Sequence, residues 1–190
     1  MNLALPLAAL LLGGGALFSL SRGGAVGDSS TREDMAEAKV TGSGIAAVLL
    51  SALGWLYTWG GAAVTTWSAA AALHAAGKAV VDCSLFASLA LVKMGLRRTF
   101  KRYTASTLAN ACDPIAWGKQ MPGDIAIYPG HVMIVLTAPD AHGDSAVIGA
   151  SGGGSKTHGD DPNARVKTFK SAKYRGDFVT FGRLKAAERG

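Results

Sequence analysis

Two long stretches of the chain carry no charged side chain, and the first covers residues 3–20. A run of eighteen uncharged residues reaches the lower limit of a membrane-spanning helix. Three interpretations stay open: a membrane anchor, which we favour, a cleaved secretory signal, or a buried structural helix. Against a signal, no Lys or Arg precedes the run, and Ser19-Leu20-Ser21 is a weak cleavage site. We therefore assign residues 1–21 to an anchor or signal segment.

Residues 22–44 are rich in Gly, Ser and charged side chains, which is typical of a linker. Ser30 and Glu33 have the spacing of a capping box and predict a short helix around residues 31–40. The rest of the chain, residues 45–190, is predicted to form one domain. With 49 % hydrophobic and only 17 % charged residues, the sequence can bury a sizeable core.

The second uncharged stretch, residues 41–77, is long enough to be mistaken for a membrane span. Gly54, Gly60 and Gly61 interrupt it, and aromatic side chains crowd its centre. These breaks favour short elements of a globular domain. The predicted elements are a helix at 44–54, a loop at 55–61 and an Ala-rich helix at 62–76 that Gly77 ends.

Further along the chain the pattern changes from a helical to a strand-like period. Apolar residues at 85, 86, 89, 92 and 94 predict a helix that begins after Asp82 and stops at Gly95, and residues 104–111 predict another short helix. From residue 122 onward, short apolar runs alternate with turn residues. The predicted strands are Ile125–Tyr128, His131–Leu136, Ala146–Ala150, Arg165–Phe169 and Phe178–Phe181. Helices followed by an antiparallel meander indicate an α+β domain.

All of the formal net charge of +6 belongs to the second half of the chain. Residues 1–96 hold five basic and five acidic side chains, whereas residues 97–190 hold fourteen basic and eight acidic ones. A basic half suits an anionic partner such as cell wall or membrane surface, and it equally suits a solvated basic face. No basic stripe interleaved with aromatic residues and no nucleic-acid motif is present, so we predict no nucleic-acid partner.

The two cysteines, Cys83 and Cys112, are too few for a disulfide framework, and we predict that both are free thiols, Cys112 as a small buried residue. Cys83 stands where a helix begins, and a helix N-terminus and a nearby imidazolium both lower a thiol pKa. His131 opens a strand after a turn, from which its side chain can reach across a groove. A cysteine paired with a distant histidine suits covalent acyl transfer. Taken alone, a cysteine at a helix start is more often simply buried.

Four short words make this signal more specific. Tyr57-Thr58-Trp59-Gly60-Gly61, Asp82-Cys83-Ser84, Pro122-Gly123-Asp124 and Gly130-His131-Val132 occur in this order. They resemble the words Y-x-W-G-G, D-C-S, P-G-D and H-V of the NlpC-type cysteine endopeptidases. The resemblance covers roughly residues 45–182. The segments HVMIVL and VIGASGGGS look most similar to the members of that family encoded by bacteriophages.

The resemblance implies a papain-like domain with permuted element order, in which helices pack on a small antiparallel sheet. It also implies hydrolysis of an amide in the stem peptide of peptidoglycan, commonly the bond from γ-D-glutamate to the diamino acid. Cys83 would attack the carbonyl, His131 would move the proton, and Tyr57 would help to hold the oxyanion. The substrate-binding residues would be Asp82, Ser84 and Trp59, the first two of them facing the free amine of the stem peptide.

Several of these residues also have a purely structural interpretation. Tyr57 and Trp59 suit core aromatics, Asp82 suits a cap for the helix that begins at Cys83, and Asp124 suits a residue that closes a turn. For Asp82 the cap and the substrate contact are equally favoured, and one carboxylate can serve both.

Two features depart from the family pattern. The family orients its base with a third polar residue, often His, in a word like I-H-A-S, and the matching residues here are Ile148-Gly149-Ala150-Ser151. Gly149 has no side chain. Ser151, His158 or a backbone carbonyl could orient His131 instead. Without any orienting group, the site would be a slower Cys-His dyad, or the chain would be an inactive relative. About twenty residues separate Gly61 from Asp82, more than is usual, and the Ala-rich helix among them is a candidate groove wall or partner surface.

The other histidines do not suggest a metal centre. His74 lies in the Ala-rich helix, and His142 and His158 lie in loops near acidic residues, without the spacing of a metal site. His142, in the hairpin loop, is expected to point away from His131. We predict no metal and no cofactor.

Two other functions stay open. The segment GDIAIYPGHVMIV also resembles CHAP-type amidases, which cut between sugar and stem peptide or within cross-bridges, although the acidic or Asn residue expected late in the sheet has no good match. Alternatively, the chain is a non-catalytic, membrane-anchored component of a virion or envelope that binds cell wall. We predict a peptidoglycan hydrolase in the cell envelope or a phage virion. Its partners would be the stem peptide, a membrane reached through residues 3–20, and, in a virion, other virion proteins.

Overall fold

The computed structural model describes residues 42–190, with side chains from residue 44 onward. The predicted anchor at 3–20 and the predicted short helix around 31–40 lie outside these residues. Within the described part of the chain, no helix has both the length and the apolar character needed to cross a membrane. The uncharged stretch at 41–77 forms short elements, as its glycines predicted.

The described residues form four α-helices, six β-strands and two 3₁₀ turns. The helices are α1 (Gly42–Leu50), α2 (Trp67–Ala75), α3 (Cys83–Lys93) and α4 (Ala105–Asn110). The strands are β1 (Cys112–Ile115), β2 (Ile125–Tyr128), β3 (His131–Val135), β4 (Val147–Ser151), β5 (Arg165–Phe169) and β6 (Thr180–Leu184). The 3₁₀ turns are Ala172–Tyr174 and Ala186–Glu188.

The strands form one antiparallel sheet in the order β1-β6-β2-β3-β4-β5. The segment from β2 to β5 is the meander that the sequence predicts. β6 then returns to pair with the free edge of β2, and β1 pairs with β6 at the edge of the sheet. β1 was missing from the prediction because Asp113 and Pro114 give it no alternating apolar pattern. Proline is tolerated there because β1 is an edge strand.

The bounds of α2 and β6 differ from the prediction for identifiable reasons. α2 begins at Trp67 rather than at residue 62, because the Thr66 side chain caps the helix and accepts a hydrogen bond from Ala69 N at 3.2 Å. β6 begins two residues later than predicted and extends to Leu184, since its far end pairs with β1. Gly77 follows α2 in the left-handed conformation, with φ of +71°.

α3 lies at the centre of the main core. Every residue from Ser84 to Leu91 is buried. β3 and β4 cover one side of α3, and the other helices pack around it. A helix that is buried on nearly all sides is apolar on nearly all sides.

A second, smaller core lies on the opposite face of the sheet. Alternation along β3 places Val132 and Ile134 in the main core, and Met133 and Val135 in the second one. The turn Ala172–Tyr174 packs over this second core. His131, the first residue of β3, therefore begins the strand on the same face as Met133.

Candidate active site

Cys83 is the first residue of α3, and the helix start is fixed by Asp82. The Oδ1 atom of Asp82 accepts hydrogen bonds from Leu85 N at 2.6 Å and from Ser84 Oγ at 2.9 Å. Asp82 is thus an N-cap, the structural role weighed for it from the sequence. The Cys83 side chain is partly exposed, and both cysteines are free thiols.

Two clefts meet at Cys83. The larger has a volume of about 560 Å³, and the smaller one of about 180 Å³. Both are lined by Tyr57, Trp59, Cys83 and Gly130. The larger cleft adds Asp82, Ser84 and Arg102, and the smaller adds His131, Ser151 and Arg175. A substrate can therefore occupy space on both sides of the sulfur atom.

His131 lines the smaller cleft together with Cys83. It follows the turn at Pro129 and Gly130, and the backbone N–H of the next residue, Val132, acts on the Cys83 sulfur. The predicted nucleophile and base therefore line the same cleft, at the start of α3 and the start of β3. His131 is buried, with 9 % of its surface exposed.

The electrostatics of this pair differ from the sequence expectation of a thiolate. Burial raises the pKa of the Cys83 thiol, and the Asp82 carboxylate also raises it, against the lowering effect of nearby backbone N–H groups. Burial, helped by the Arg175 cation, lowers the pKa of His131 to about 4, while Asp177 opposes that shift. Both shifts favour a neutral thiol and a neutral imidazole at pH 7.

Tyr57 lies beside Cys83 in a segment that runs along the edge of β5. Its backbone N–H donates to Ala164 O at 2.9 Å, and the side chain is 4 % exposed. Burial raises the pKa of Tyr57 to about 12, with smaller contributions from Cys83 and Asp82. The phenol therefore keeps its proton at neutral pH and can donate a hydrogen bond to an oxyanion.

Arg102 holds the second oxygen of the Asp82 carboxylate. Its Nη2 atom donates to Asp82 Oδ2 at 2.8 Å and to Gly60 O at 2.8 Å. The ion pair therefore joins the Gly60-Gly61 turn to the start of α3. This role of Arg102 becomes evident only once the fold brings the two segments together.

Trp59 and Ser84 have different environments. Trp59 lines both clefts and is 54 % exposed, so it is not a core aromatic. Ser84 is 6 % exposed, and its hydroxyl is used by the hydrogen bond to Asp82. Trp59 therefore presents the larger exposed surface to a ligand, and the Ser84 hydroxyl, which lines the larger cleft, keeps only its oxygen as an acceptor.

A tyrosine that the sequence analysis did not single out contacts His131. Tyr174 Oη lies 3.2 Å from His131 Nε2. Tyr174 belongs to the 3₁₀ turn after β5. Nothing in its local sequence marks it, because the contact spans 43 residues and depends on how the turn packs on the sheet.

Gly149, at the position that the family resemblance assigns to the orienting residue, faces Met133. A Cβ atom at residue 149 would lie 3.2 Å from Met133 Cε and 3.3 Å from its Cγ. The methionine thus fills the space that a side chain on this part of β4 would take.

The remaining polar residues named from the sequence lie elsewhere. His158 is near Thr58, with Nδ1 3.4 Å from its hydroxyl, and the carbonyl of His142 accepts a hydrogen bond from Trp117. Asp124 closes its turn by accepting from Met121 N at 2.7 Å and pairs with Arg183 at 2.8 Å. Among residues 42–190, no three side chains of the metal-binding types come together.

The helix inserted between Gly61 and Asp82 is not a wall of either cleft. In the described chain, both clefts beside Cys83 are lined by other segments. α2 instead packs through Trp67, whose ring lies 4.7 Å from that of Trp55 and 6.0 Å from that of Phe86. The insertion therefore extends the main core.

These features define an α+β domain with a cysteine and a histidine in one cleft. No family model and no curated protein matches the sequence, but solved structures match the fold. The NlpC/p60 domain of the peptidoglycan hydrolase SagA is 19 % identical, with a TM-score of 0.50, and the match covers 76 % of this chain and 100 % of that chain. The peptidoglycan hydrolase RipB from Mycobacterium tuberculosis is 16 % identical, with a TM-score of 0.50 and coverage of 84 % and 74 %.

The described residues thus adopt the NlpC/p60 fold, which confirms the fold predicted from the four sequence words. At these identities the similarity establishes the fold, and activity is argued from the site.

Proposed function

We propose that this chain is a peptidoglycan hydrolase that cuts an amide bond in the stem peptide by a cysteine mechanism. The observation that supports this most directly is that Cys83 and His131 line one cleft, while a second cleft opens on the other side of the sulfur. The two proteins of matching fold are themselves peptidoglycan hydrolases.

In the first step, the Cys83 sulfur attacks the carbonyl carbon of the scissile amide. Because the resting pair favours the neutral forms, His131 takes the thiol proton as the S–C bond forms, acting as a general base. The neutral imidazole that burial favours is the form able to accept that proton.

The negative charge then lies on the former carbonyl oxygen. Two donors can stabilise it: the Tyr57 hydroxyl, which burial keeps protonated, and the backbone N–H of Cys83 at the start of α3. Removal of one such donor typically slows catalysis by about 10²- to 10³-fold.

Collapse of this intermediate breaks the C–N bond. The imidazolium of His131 gives its proton to the leaving amine, and a thioester remains on Cys83. Water then attacks the thioester with His131 again as base, which releases the carboxylic acid and returns the proton to the thiol.

The clefts suggest how the stem peptide lies across the sulfur. The larger cleft, which holds Asp82 and Arg102, suits the acyl part with its free amine and carboxylate. The smaller cleft, which holds His131, suits the leaving amine of the diamino acid. In this arrangement the exposed Trp59 ring covers the bond that is cut.

The finer assignment is the bond from γ-D-glutamate to the diamino acid. The CHAP-like amidase reaction is the alternative bond, and a non-catalytic wall-binding protein is the alternative class. The partly exposed thiol at the junction of two clefts favours the enzyme. Membrane attachment through residues 3–20 and a place in a virion stay predictions from the sequence.

Digestion of purified peptidoglycan, followed by mass spectrometry of the released fragments, tests this proposal. Cleavage at γ-D-glutamate leaves a disaccharide that carries a dipeptide, whereas an amidase releases the whole stem peptide from the sugar. Cys83→Ala should abolish product formation while the folded structure is retained.

Cys112→Ala is the matched control, since Cys112 is buried at the start of β1 and lines neither cleft. This variant should digest peptidoglycan like the wild type. Product formation by Cys83→Ala, or no product from a folded wild-type protein, would overturn the proposal.

A further inference from the structure

We propose that Tyr174 is the positioning residue of this site, which orients His131 in place of the side chain that is missing at Gly149. The inference deepens the proposed cysteine hydrolase and rests on it. It is carried by three features: the contact of Tyr174 with His131, the anchoring of Tyr174, and the filled space at Gly149.

The contact between Tyr174 and His131 occupies one of the two nitrogen atoms of the imidazole ring and leaves the other for proton transfer. Tyr174 Oη lies 3.2 Å from Nε2 of His131. The other nitrogen, Nδ1, is therefore the one available to take the proton of Cys83. For Nδ1 to be unprotonated in a neutral imidazole, Nε2 must carry the hydrogen and donate it to Tyr174.

The Tyr174 hydroxyl stays protonated, and its oxygen can accept this hydrogen bond. Burial raises the pKa of Tyr174, whereas the Ser151 and Arg175 side chains beside the same hydroxyl oppose that shift. The phenol therefore stays neutral at pH 7, and its oxygen accepts the hydrogen of His131 Nε2. A neutral hydroxyl fixes the tautomer without adding a charge to the cleft.

The Tyr174 ring is held by aromatic packing. It stacks on Phe169 with the ring centroids 3.7 Å apart and the planes 19° from parallel. The edge of Tyr128 meets it at a centroid distance of 5.7 Å. Such packing limits the ring to one direction, toward His131.

The turn that carries Tyr174 is tied to the sheet by hydrogen bonds. Ala172 N donates to Asp144 Oδ1 at 3.1 Å, and Ser171 Oγ donates to the other oxygen of Asp144. Tyr128 Oη donates to Ala172 O at 2.6 Å. The turn is therefore fixed both to the β3–β4 connection and to β2, which gives the rigidity that a positioning residue needs.

The usual position for such a residue is closed. Met133 packs where a side chain at residue 149 would lie. The polar group therefore reaches the imidazole from the turn after β5 rather than from β4. Tyr174 thus supplies the polar group that Gly149 cannot supply. The glycine at position 149 therefore does not by itself indicate an inactive protein.

Tyr174→Phe removes one oxygen atom and keeps the stacking ring, so it is the decisive variant. Measured on a soluble stem peptide, kcat should fall about 10- to 100-fold with KM within about twofold, because orientation of the base acts on the chemical step. Circular dichroism should show an unchanged fold. Activity within about twofold of wild type would overturn the proposal.

Restoring the activity of Tyr174→Phe with a new orienting group tests whether Tyr174 positions His131 or only packs against it. Adding Met133→Gly and Gly149→His to Tyr174→Phe opens the space on β4 and supplies an orienting group there. The triple variant should recover at least about tenfold in kcat over Tyr174→Phe. The same β4 changes in the wild-type background are the control, and they should give no such gain. Equal effects in both backgrounds would argue against the assigned role.

Nitrogen NMR of histidine-labelled protein tests the contact without any substrate. In the wild type, the His131 signals, assigned with His131→Gln, should show a protonated Nε2 and an unprotonated Nδ1 at pH 7. In Tyr174→Phe both signals should move toward the average of the two tautomers. Unchanged signals would refute the role of Tyr174 even if digestion fails, whereas shifted signals with no digestion by the wild type would refute only the proposed function.

Discussion

The backbone of Gly153 lies directly against the ring of Tyr57. A Cβ atom at residue 153 would overlap Tyr57 Cδ1, closer than any contact that the ring can accept without moving. The ring has little room to move, since Tyr57 is 4 % exposed and its segment is hydrogen-bonded to Ala164. The glycine-rich loop after β4 therefore sets the position of the hydroxyl that we assign to the oxyanion.

Gly153→Ala is expected to displace Tyr57 and to lower kcat by about 10²-fold, the loss typical of an oxyanion donor. Gly154→Ala is the matched control, because a Cβ atom at residue 154 meets nothing within 4 Å. Steady-state kinetics on a soluble stem peptide compare the two. Equal activities of the two variants would show that Tyr57 does not depend on this contact.

Asp82→Asn is expected to make Cys83 more reactive. Asparagine keeps an oxygen for the Leu85 amide, but it removes a negative charge that raises the pKa of the Cys83 thiol. With that charge gone, and with Arg102 left unpaired beside it, the thiolate becomes more favourable and the pKa falls. Iodoacetamide should therefore modify Cys83 about two- to fivefold faster at pH 7.

The control for this change is Asp113→Asn, an exposed position on the edge strand β1 that lines neither cleft beside Cys83. It should leave the alkylation rate as in the wild type. Slower alkylation of Asp82→Asn would mean that loss of the helix cap outweighs the electrostatic effect.

The pH dependence of kcat/KM should reflect the buried imidazole. His131 acts as a base only when neutral, and its pKa is lowered to about 4, so the neutral form persists well below pH 6.5. We expect kcat/KM to hold its plateau down to about pH 5 and to fall to half near about pH 4. Circular dichroism over the same range separates this loss from acid unfolding. Half-loss near pH 6.5 would contradict the neutral resting pair.

Asp124→Ala should destabilise the fold without affecting catalysis. The carboxylate accepts from Met121 N and forms two hydrogen bonds with Arg183, at 2.9 Å and 2.8 Å. Because the Asp124 side chain is only 7 % exposed, its hydrogen bonds to charged and backbone donors contribute to the stability of the fold. The free energy of unfolding measured in urea should fall by about 2 kcal/mol. Asp113→Ala, on the surface, should change it by less than about 0.5 kcal/mol.

Wall digestion by folded Asp124→Ala should match that of the wild type, because Asp124 lines neither of the clefts that meet at Cys83. A specific loss of activity at full folding would give the P-G-D word a role in the site.

Much of the fold follows from local chemistry that the sequence displays. Asp82 is a strong cap, so the start of α3 at Cys83 is predictable. The turn at Gly130, with φ of +65°, and the alternation after His131 specify the β2–β3 hairpin, whose strands begin where the pattern predicts. These two local signals place Cys83 and His131 at the ends of their elements.

Other features depend on contacts between distant segments and leave no local pattern. β1 forms because the edge of β6 is available to pair, not because its own residues alternate. The Asp82–Arg102 pair joins segments twenty residues apart, and the contact of Tyr174 with His131 depends on the anchoring of a turn by Asp144. From the sequence alone, Tyr174, which follows a strand, cannot be distinguished from a core aromatic residue.

The neutral resting state of Cys83 has a consequence for how long such a protein would last outside a reducing compartment. Peroxides and other oxidants attack the thiolate far faster than the protonated thiol. Burial and the Asp82 carboxylate favour the protonated form of the Cys83 sulfur. The same arrangement therefore slows sulfenic acid formation at Cys83, which makes the site durable in an aerated environment.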